Sequence, residues 1–398
     1  MSLIELMTCS VFLLKSAAAS STAFVASFIC ERRSKSLALL SFCSAIEVLT
    51  SISFDLTLLA KPTTLSNSFW AETLPLAKRL DWRDNGRMVI TILGSGTSHG
   101  VPVIACNCAV CSSSDPRDKR YRASALIENE FEGKTWRVLI DVGPDFRSQA
   151  LACGLPSLDA ILLTHGHADH LHGLDDIRIF SHTKVPNAVS KYTDKDGVEH
   201  PTNEFTKAMP IYADKAATKI IRAHFDYIFH RTQIGGGKPL VTLNAAEKLV
   251  PSAPLKIGGM EIISIPMKHG KIPTTGYLIS AVAKDGTKKS AAYLTDCNYI
   301  SEKSIKLIND NAGLLVHAVI DGLRKDVHTT HFSFEEALAT ANLIQPRHTW
   351  TTHMTHDFGY QEIAEYFKEI LPEYPRLEKI VANGGSVLPA HDGLRLEA

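Results

Sequence analysis

Three imidazoles and a carboxylate fall within six residues at His165-Gly166-His167-Ala168-Asp169-His170. They directly follow Asp159-Ala160-Ile161-Leu162-Leu163, an apolar run that reads as a buried strand. The cluster therefore belongs on the loop at the strand's end, where reactive groups are commonly presented. Neutral imidazole with carboxylate is a ligand set for Zn, Mn or Fe. His165 and His167 can converge on one ion, and Asp169 and His170 can reach a second. One loop rarely closes two coordination spheres, so further ligands must come from downstream. His269 lies just beyond the run Glu261–Ile265, Asp296 ends Ala291–Thr295, and His353 follows Thr349–Thr352. Each is a polar residue at the end of a β-type segment, the way an α/β sheet delivers groups from one edge. Cys297 is next to Asp296, but a one-residue shift on a strand turns it to the opposite face, so it reads as a small buried residue.

A second constellation is Cys106-Asn107-Cys108-Ala109-Val110-Cys111. The other five of the eight cysteines are scattered, so no disulfide framework is suggested. Three thiolates this close make a tetrahedral zinc site that lacks one ligand. His356, three residues after His353, is the best candidate for the fourth. One strand-end loop would then place His353 in the reactive site and His356 on a structural zinc, which braces the loop by rigidity.

His-x-His-x-Asp-His followed by a His, an Asp and a last His at strand ends resembles the metallo-β-lactamase superfamily. The resemblance implies an α/β fold, an αββα sandwich with an added structural zinc loop. It also implies one metal on His165, His167 and His269, and a second on Asp169, His170 and His353, bridged by Asp296. The run Gly94–Pro102, the Cys cluster, Asp141-Val142-Gly143-Pro144-Asp145-Phe146 and His167–Asp176 are similar to the PhnP-type cyclic-phosphate phosphodiesterases. So are Phe225–Phe229, His331–Ala337 and Ala390–Arg395, and the likeness covers about residues 88–398. It implies two divalent active-site metals, Mn²⁺ or Zn²⁺, one structural Zn²⁺ on Cys106, Cys108, Cys111 and His356, and His331 as proton donor beside the catalytic Asp169.

The chemistry expected of such a site is attack on phosphorus by a hydroxide held between two ions. His331 would protonate the departing ester oxygen. The substrate class is a small, cyclic phosphodiester. Competing readings are a tRNA 3′-end endonuclease, a thioester or lactone hydrolase, and a non-enzymatic protein like the pyrroloquinoline-quinone biosynthesis B protein. Retention of the full ligand set with Asp296 argues against the last of these. The 398 residues carry 42 basic and 42 acidic side chains, a balance with no footprint for a nucleic-acid partner. No stable membrane partner is evident, and a homodimer is compatible with this reading.

The elements that must position these groups lie between residues 88 and 398. Residues 1–87 carry none of the motifs and read as a leader, either disordered, a targeting segment or a start-site misassignment ahead of Met88. The expected location is cytoplasmic, or organellar if the leader is a targeting segment. Strands are expected near Ser124–Ile127, Trp136–Ile140, Leu255–Ile257, Glu261–Ile265, Thr275–Ile279, Ala291–Leu294 and Leu314–Ile320. Helices are expected at Phe146–Cys153, after His170, and at Lys215–His224, Ser301–Asn309, Phe334–Ala341 and Gln361–Ile370. Residues 183–208 form a polar insertion, a surface loop or a lid. Gly94 to Gly100 reads as a tight turn bringing backbone close to the metal loop. Asp141 and Asp145 are balanced between hydrogen bonding to a ligand His and ordinary turn roles. His172 reads as a helix-face or supporting residue, His328 as a loop His or a phosphate contact, and His99 as a residue at the pocket's margin.

Overall fold

The computed structural model describes residues 88–181, 190–193, 197, 199–202, 208–230 and 238–398. Residues 1–87, with the leader proposed for them, lie outside the described residues. The strands in chain order are β1 (Val89–Gly94), β2 (Ser124–Phe131), β3 (Lys134–Ile140), β4 (Ala160–Leu162), β5 (Ser190–Thr193), β6 (Glu199–Thr202), β7 (Met209–Ala213) and β8 (Val241–Ala245). They continue with β9 (Leu255–Ile257), β10 (Met260–His269), β11 (Ile272–Val282), β12 (Lys288–Leu294), β13 (Tyr299–Ile300), β14 (Leu314–Asp321), β15 (His348–Thr352), β16 (Ser386–Pro389) and β17 (Arg395–Glu397). One sheet has the order β17-β1-β2-β3-β4-β7-β8, and the other β13-β10-β11-β12-β14-β15-β16.

The period-2 alternation of the strands decides the layering. Val138 and Ile140 of β3, Ala160 and Leu162 of β4, and Ala291 and Tyr293 of β12 share one core with Ile90, Ile127, Ile262 and Ile279. That core draws on strands of both sheets, so it lies between them. The alternate residues Leu139 and Ile161 face outward with Leu163, onto Phe146 and the helical residues Ala217 and Ile221. On the far side, Ala292, Leu294, Ala318 and Ile320 pack on Ile308, Phe334, Leu338, Ile363 and Phe367. Each sheet thus buries one face on the other and one on helices, which is the αββα sandwich that the family resemblance implied.

Strand direction places the site. β3, β4, β7 and β8 pair in parallel, as do β12, β14, β15 and β16. β10 runs antiparallel to β11, and β11 antiparallel to β12, so β10 ends on the same edge as β12. The carboxyl ends of β4, β10, β12, β14 and β15 release Thr164, His269, Thr295, Gly322 and His353 there.

The helices at Phe146–Cys153 and Lys215–His224 match their expected bounds. The helix expected after His170 starts earlier, at Ala168, and takes in Asp169 and His170, because His167 supplies its extended cap residue. β8, β16, β17 and the helix Pro375–Ala382 were not anticipated; short elements with few apolar residues carry weak periodic signals. In the 183–208 insertion β5 and β6 pair as an antiparallel hairpin. The rest of that segment, and so the lid reading, lies outside the described residues.

Within β14, His317 is buried and has both ring nitrogens committed. Its Nε2 donates to the carbonyl of Glu397 at 3.0 Å, and its Nδ1 accepts from the Trp350 indole at 3.2 Å. Burial lowers its pKa to about 4, with His348 and Arg347 adding to the effect. The unfolded chain therefore binds the proton first. Stability should fall as pH drops from about 6.5 toward 4, by at most roughly 3 kcal/mol from this group. Denaturant unfolding across this range is expected to show a shallower pH slope for His317→Gln than for the parent. Identical slopes would contradict this account.

Candidate metal centre

The structure brings the predicted ligands together in two groups. His165, His167 and His269 form one, and Asp169, His170, Asp296 and His353 the other, with ligand atoms within 4.8 Å of one another in each group. Asp296 lies between them. Its Oδ1 is 3.2 Å from His353 Nε2 and 3.9 Å from His165 Nε2, and its Oδ2 is 3.2 Å from His170 Nε2. Asp169 Oδ2 is 3.2 Å from His170 Nε2 and 3.7 Å from His353 Nε2.

The ligands are held from behind. His170 Nδ1 donates to Asp141 Oδ2 at 2.7 Å, leaving Nε2 facing the centre. Asp141 also accepts from the backbone and hydroxyl of Thr164, both at 2.8 Å. His269 Nδ1 donates to the carbonyl of Thr330 at 2.7 Å. Such partners fix ring orientation and raise ligand basicity. Asp145 does not join them; it accepts from Arg122 instead, at 3.0 Å from its backbone and 3.1 Å from its guanidinium. Asp141, Asp296 and His353 have φ of 61°, 55° and 63°. Left-handed backbone is uncommon for residues with a side chain and concentrates where function demands it.

The electrostatics favour a cation. Burial would raise the carboxyl pKa of Asp169 and Asp296, yet His170, with His353 assisting, holds both below the usual carboxylate range. Burial would lower His170, but Asp296, Asp141 and Asp169 around it pull positive charge onto the ring and raise it well above the usual range. His165 is held low by burial and by His170, so it is a neutral ligand. The buried Nε2 atoms of His165, His170 and His353 have no hydrogen-bond partner. Ionised carboxylates among inward-facing imidazole nitrogens fit a pair of divalent cations, which would take the place of the positive charge these carboxylates draw onto His170.

The thiol cluster completes as expected. Cys106, Cys108 and Cys111 Sγ each lie 3.4 Å from His356 Nδ1. Three equal S–N edges suit a tetrahedral Cys₃His zinc, whose bond lengths imply edges of roughly 3.5 Å. The Cys108 thiol is lowered to about 6, first by the Cys111 backbone N–H and then by His356. The fully buried Arg120 clamps the strand-end loop, donating to the carbonyls of Thr355 at 2.5 Å and Phe358 at 3.0 Å. The Gly94–Gly100 turn meets the same loop, with Met354 N donating to Ser95 O at 3.0 Å and Thr97 N to Met354 O at 3.1 Å.

His331 is buried at the same edge, 4.6 Å ring to ring from His353 and 4.5 Å from His269. Its Nδ1 donates to Asp321 Oδ2 at 2.9 Å, and that oxygen also accepts from Cys297 N at 3.0 Å. Cys297 itself is buried with its thiol toward Leu294 O at 3.6 Å, not toward the centre. Sequence reasoning missed Asp321, although it ends the run Leu314–Ile320 in the same way as the chosen ligands end theirs. It also missed Thr164, Thr330 and Arg120, whose types carry no signal by themselves. His172 is exposed and pairs with His224 at 3.3 Å, and His99 is exposed.

The chain matches the beta-lactamase superfamily domain family over residues 136–206 and 196–354. It is 33% identical over 300 residues to an octanoyltransferase of Porphyromonas gingivalis, covering 74% of this chain and 52% of that protein. It thus spans about half the length of that curated relative. Among solved structures it is similar to a diphosphatase of the PhnP family, with 34% identity, TM-score 0.57, and coverage of 78% of this chain and 97% of that one. The zinc-bound PqqB of Methylobacterium extorquens shares the fold at 18% identity and TM-score 0.52, over 78% of this chain and all of that one. With the two-sheet sandwich and the ligand set already in place, these matches show that the chain belongs to the metallo-β-lactamase superfamily and is similar to a PhnP-family diphosphatase.

Proposed function

We propose that the protein is a metal-dependent phosphodiesterase acting on a small phosphodiester, through the catalytic groups His331 and Asp169. The observation that carries the reading is the Asp321–His331 pair set against two adjacent ligand clusters, with Asp296 of one lying 3.9 Å from His165 of the other. When bound, two divalent cations, Mn²⁺ or Zn²⁺, supply Lewis acidity and a water made nucleophilic at neutral pH. The chain's own residues position and move protons. Asp141 and the Thr330 carbonyl hold His170 and His269 in the tautomer that presents Nε2 to the centre. Asp169 and Asp296 keep negative charge where a cation must sit. Asp321 takes the Nδ1–H of His331, which turns Nε2 toward the reacting phosphoryl group, and a proton there serves the departing oxygen.

Metal analysis and a substrate panel test the reading. The full chain should hold about three metals, two in the paired clusters and one zinc on the Cys₃His group. It should hydrolyse a 2′,3′-cyclic nucleotide and bis(p-nitrophenyl) phosphate with Mn²⁺ or Zn²⁺. The similar PhnP-family structure is described as a diphosphatase, so a diphosphate diester belongs in the panel. One metal per chain and no turnover would point instead to a binding protein. Cleavage of precursor tRNA alone would favour the endonuclease reading.

A further inference from the structure

Residues 322–333 leave β14 and return as one excursion, closed at its base by two backbone hydrogen bonds. Leu323 N donates to Phe332 O and Phe334 N to Arg324 O, each at 2.9 Å. A capping box of Ser333 and Glu336 starts the next helix immediately after it. The excursion is also pinned to the metal centre. His269 Nδ1 bonds Thr330 O at 2.7 Å, and Asn298 Nδ2 bonds Thr329 O at 2.9 Å. The loop that presents His331 is therefore rigidly placed, and so are its other side chains.

His328 is one of them. The Thr330 hydroxyl lies 3.1 Å from its Nδ1, and the Thr330 backbone N–H donates to the same atom at 3.4 Å. With Nδ1 as acceptor, the neutral ring carries its proton on Nε2, as a hydrogen-bond donor. Its ring is 5.4 Å from that of His331, and it is only partly buried, so it stands at the mouth of the site. Arg324 stands at the base of the same loop, where its carbonyl accepts from Phe334 N at 2.9 Å. Its guanidinium forms a long ion pair with Asp357 Oδ2 at 3.9 Å, beyond hydrogen-bond range, and its buried Nε has no hydrogen-bond partner. Lys325, by contrast, is occupied by the rings of Tyr366 and Phe358, at 4.0 and 4.7 Å. The excursion thus carries a guanidinium at its base and an imidazole N–H beside the proposed proton donor.

Resting on the phosphodiesterase reading, we propose that Arg324 and His328 form a subsite for an anionic leaving group, so that the favoured substrate carries a second phosphoryl or carboxylate charge beyond the scissile bond. Guanidinium recognises such oxyanions through paired N–H donors, and His328 adds a third donor of fixed tautomer.

The test compares two diesters on the metal-loaded full chain: a diphosphate diester, whose leaving group is anionic, and bis(p-nitrophenyl) phosphate, whose leaving group bears no second charge. Arg324→Gln and His328→Gln should each lower kcat/KM for the first by roughly tenfold more than for the second, mainly through KM. Arg324→Lys should recover part of the loss. Val327→Ala, an exposed neighbour, serves as the control for loop integrity. Equal losses on both diesters, or no loss on either, would overturn the subsite. Calorimetric binding of pyrophosphate against inorganic phosphate, at fixed free Mn²⁺, gives an answer independent of turnover. Pyrophosphate affinity should drop about tenfold more than phosphate affinity in both variants, and parallel changes would overturn the proposal. If the parent protein turns over neither diester yet shows that selective drop, the phosphodiesterase reading fails while the anion subsite stands.

Discussion

His331→Ala is expected to lower kcat/KM by about 10²–10⁴-fold on a diester with an alkoxide leaving group. On a p-nitrophenyl ester, whose leaving group needs little protonation, the loss should be less than about tenfold. The asymmetry follows from the geometry. His331 is buried at the common edge of the two sheets, its Nδ1 is taken by Asp321 at 2.9 Å, and only Nε2 remains for chemistry. A structural role would depress both substrates alike, so equal losses would remove the proton-donor assignment. Asp321→Asn should show the same asymmetry in milder form, because the amide can still hold the ring but can present the wrong group to Nδ1. Steady-state kinetics with the two leaving groups across pH 5–9 would check both variants.

Loss of the Cys₃His group is the second large effect. Cys108→Ser should reduce bound metal by one per chain, and Tm should fall by roughly 10 °C, given about 1.5 °C per kcal/mol for about 310 folded residues and a zinc contribution of several kcal/mol. Activity should fall as well, although no thiol touches the paired clusters. His356 and His353 sit on one segment, with Arg120 bonded to Thr355 and Phe358 and the Ser95–Thr97 turn bonded to Met354. Releasing His356 frees the strand end that holds His353 at a φ of 63°, a conformation the chain keeps only where its surroundings demand it. Cys153→Ser, at an exposed thiol outside the cluster, is the control and should change neither quantity. Metal content by mass spectrometry and differential scanning calorimetry decide the matter. A Cys108→Ser protein with full metal content and unchanged Tm would show that the cluster holds no zinc.

Much of this centre was legible from local pattern. Histidines and aspartates at strand ends stand out because buried strands are otherwise apolar, and rare ligand types clustered within a few residues need little context. The division of ligands between two sites followed from spacing and resemblance; the structure gathers His165, His167 and His269 in one group and puts Asp296 with Asp169, His170 and His353 in the other. The αββα layering was implied by the family resemblance, and the alternate residues of β3, β4 and β12 indeed serve different cores. Asp321 was within reach of the same reasoning, since it ends β14 as Asp296 follows the end of β12.

Other features had no local signature. The sequence by itself determined which residue types stand at the strand ends, and hence that the groups gathered there suit cations, because ligand identity and strand periodicity are both local properties; the expectation of hydrolytic chemistry came from the family resemblance. Only the tertiary structure decided that Asp141 backs His170 from 29 residues away, that Asp321 rather than another carboxylate holds His331, that Asp145 goes to Arg122, and that Arg120 reaches Thr355 across 235 residues. Those partnerships depend on strand order and on the turn each chain segment makes after leaving its sheet. A hydrogen bond needs its donor and acceptor within about 3 Å, and residue spacing along the chain does not set that distance for groups on different strands.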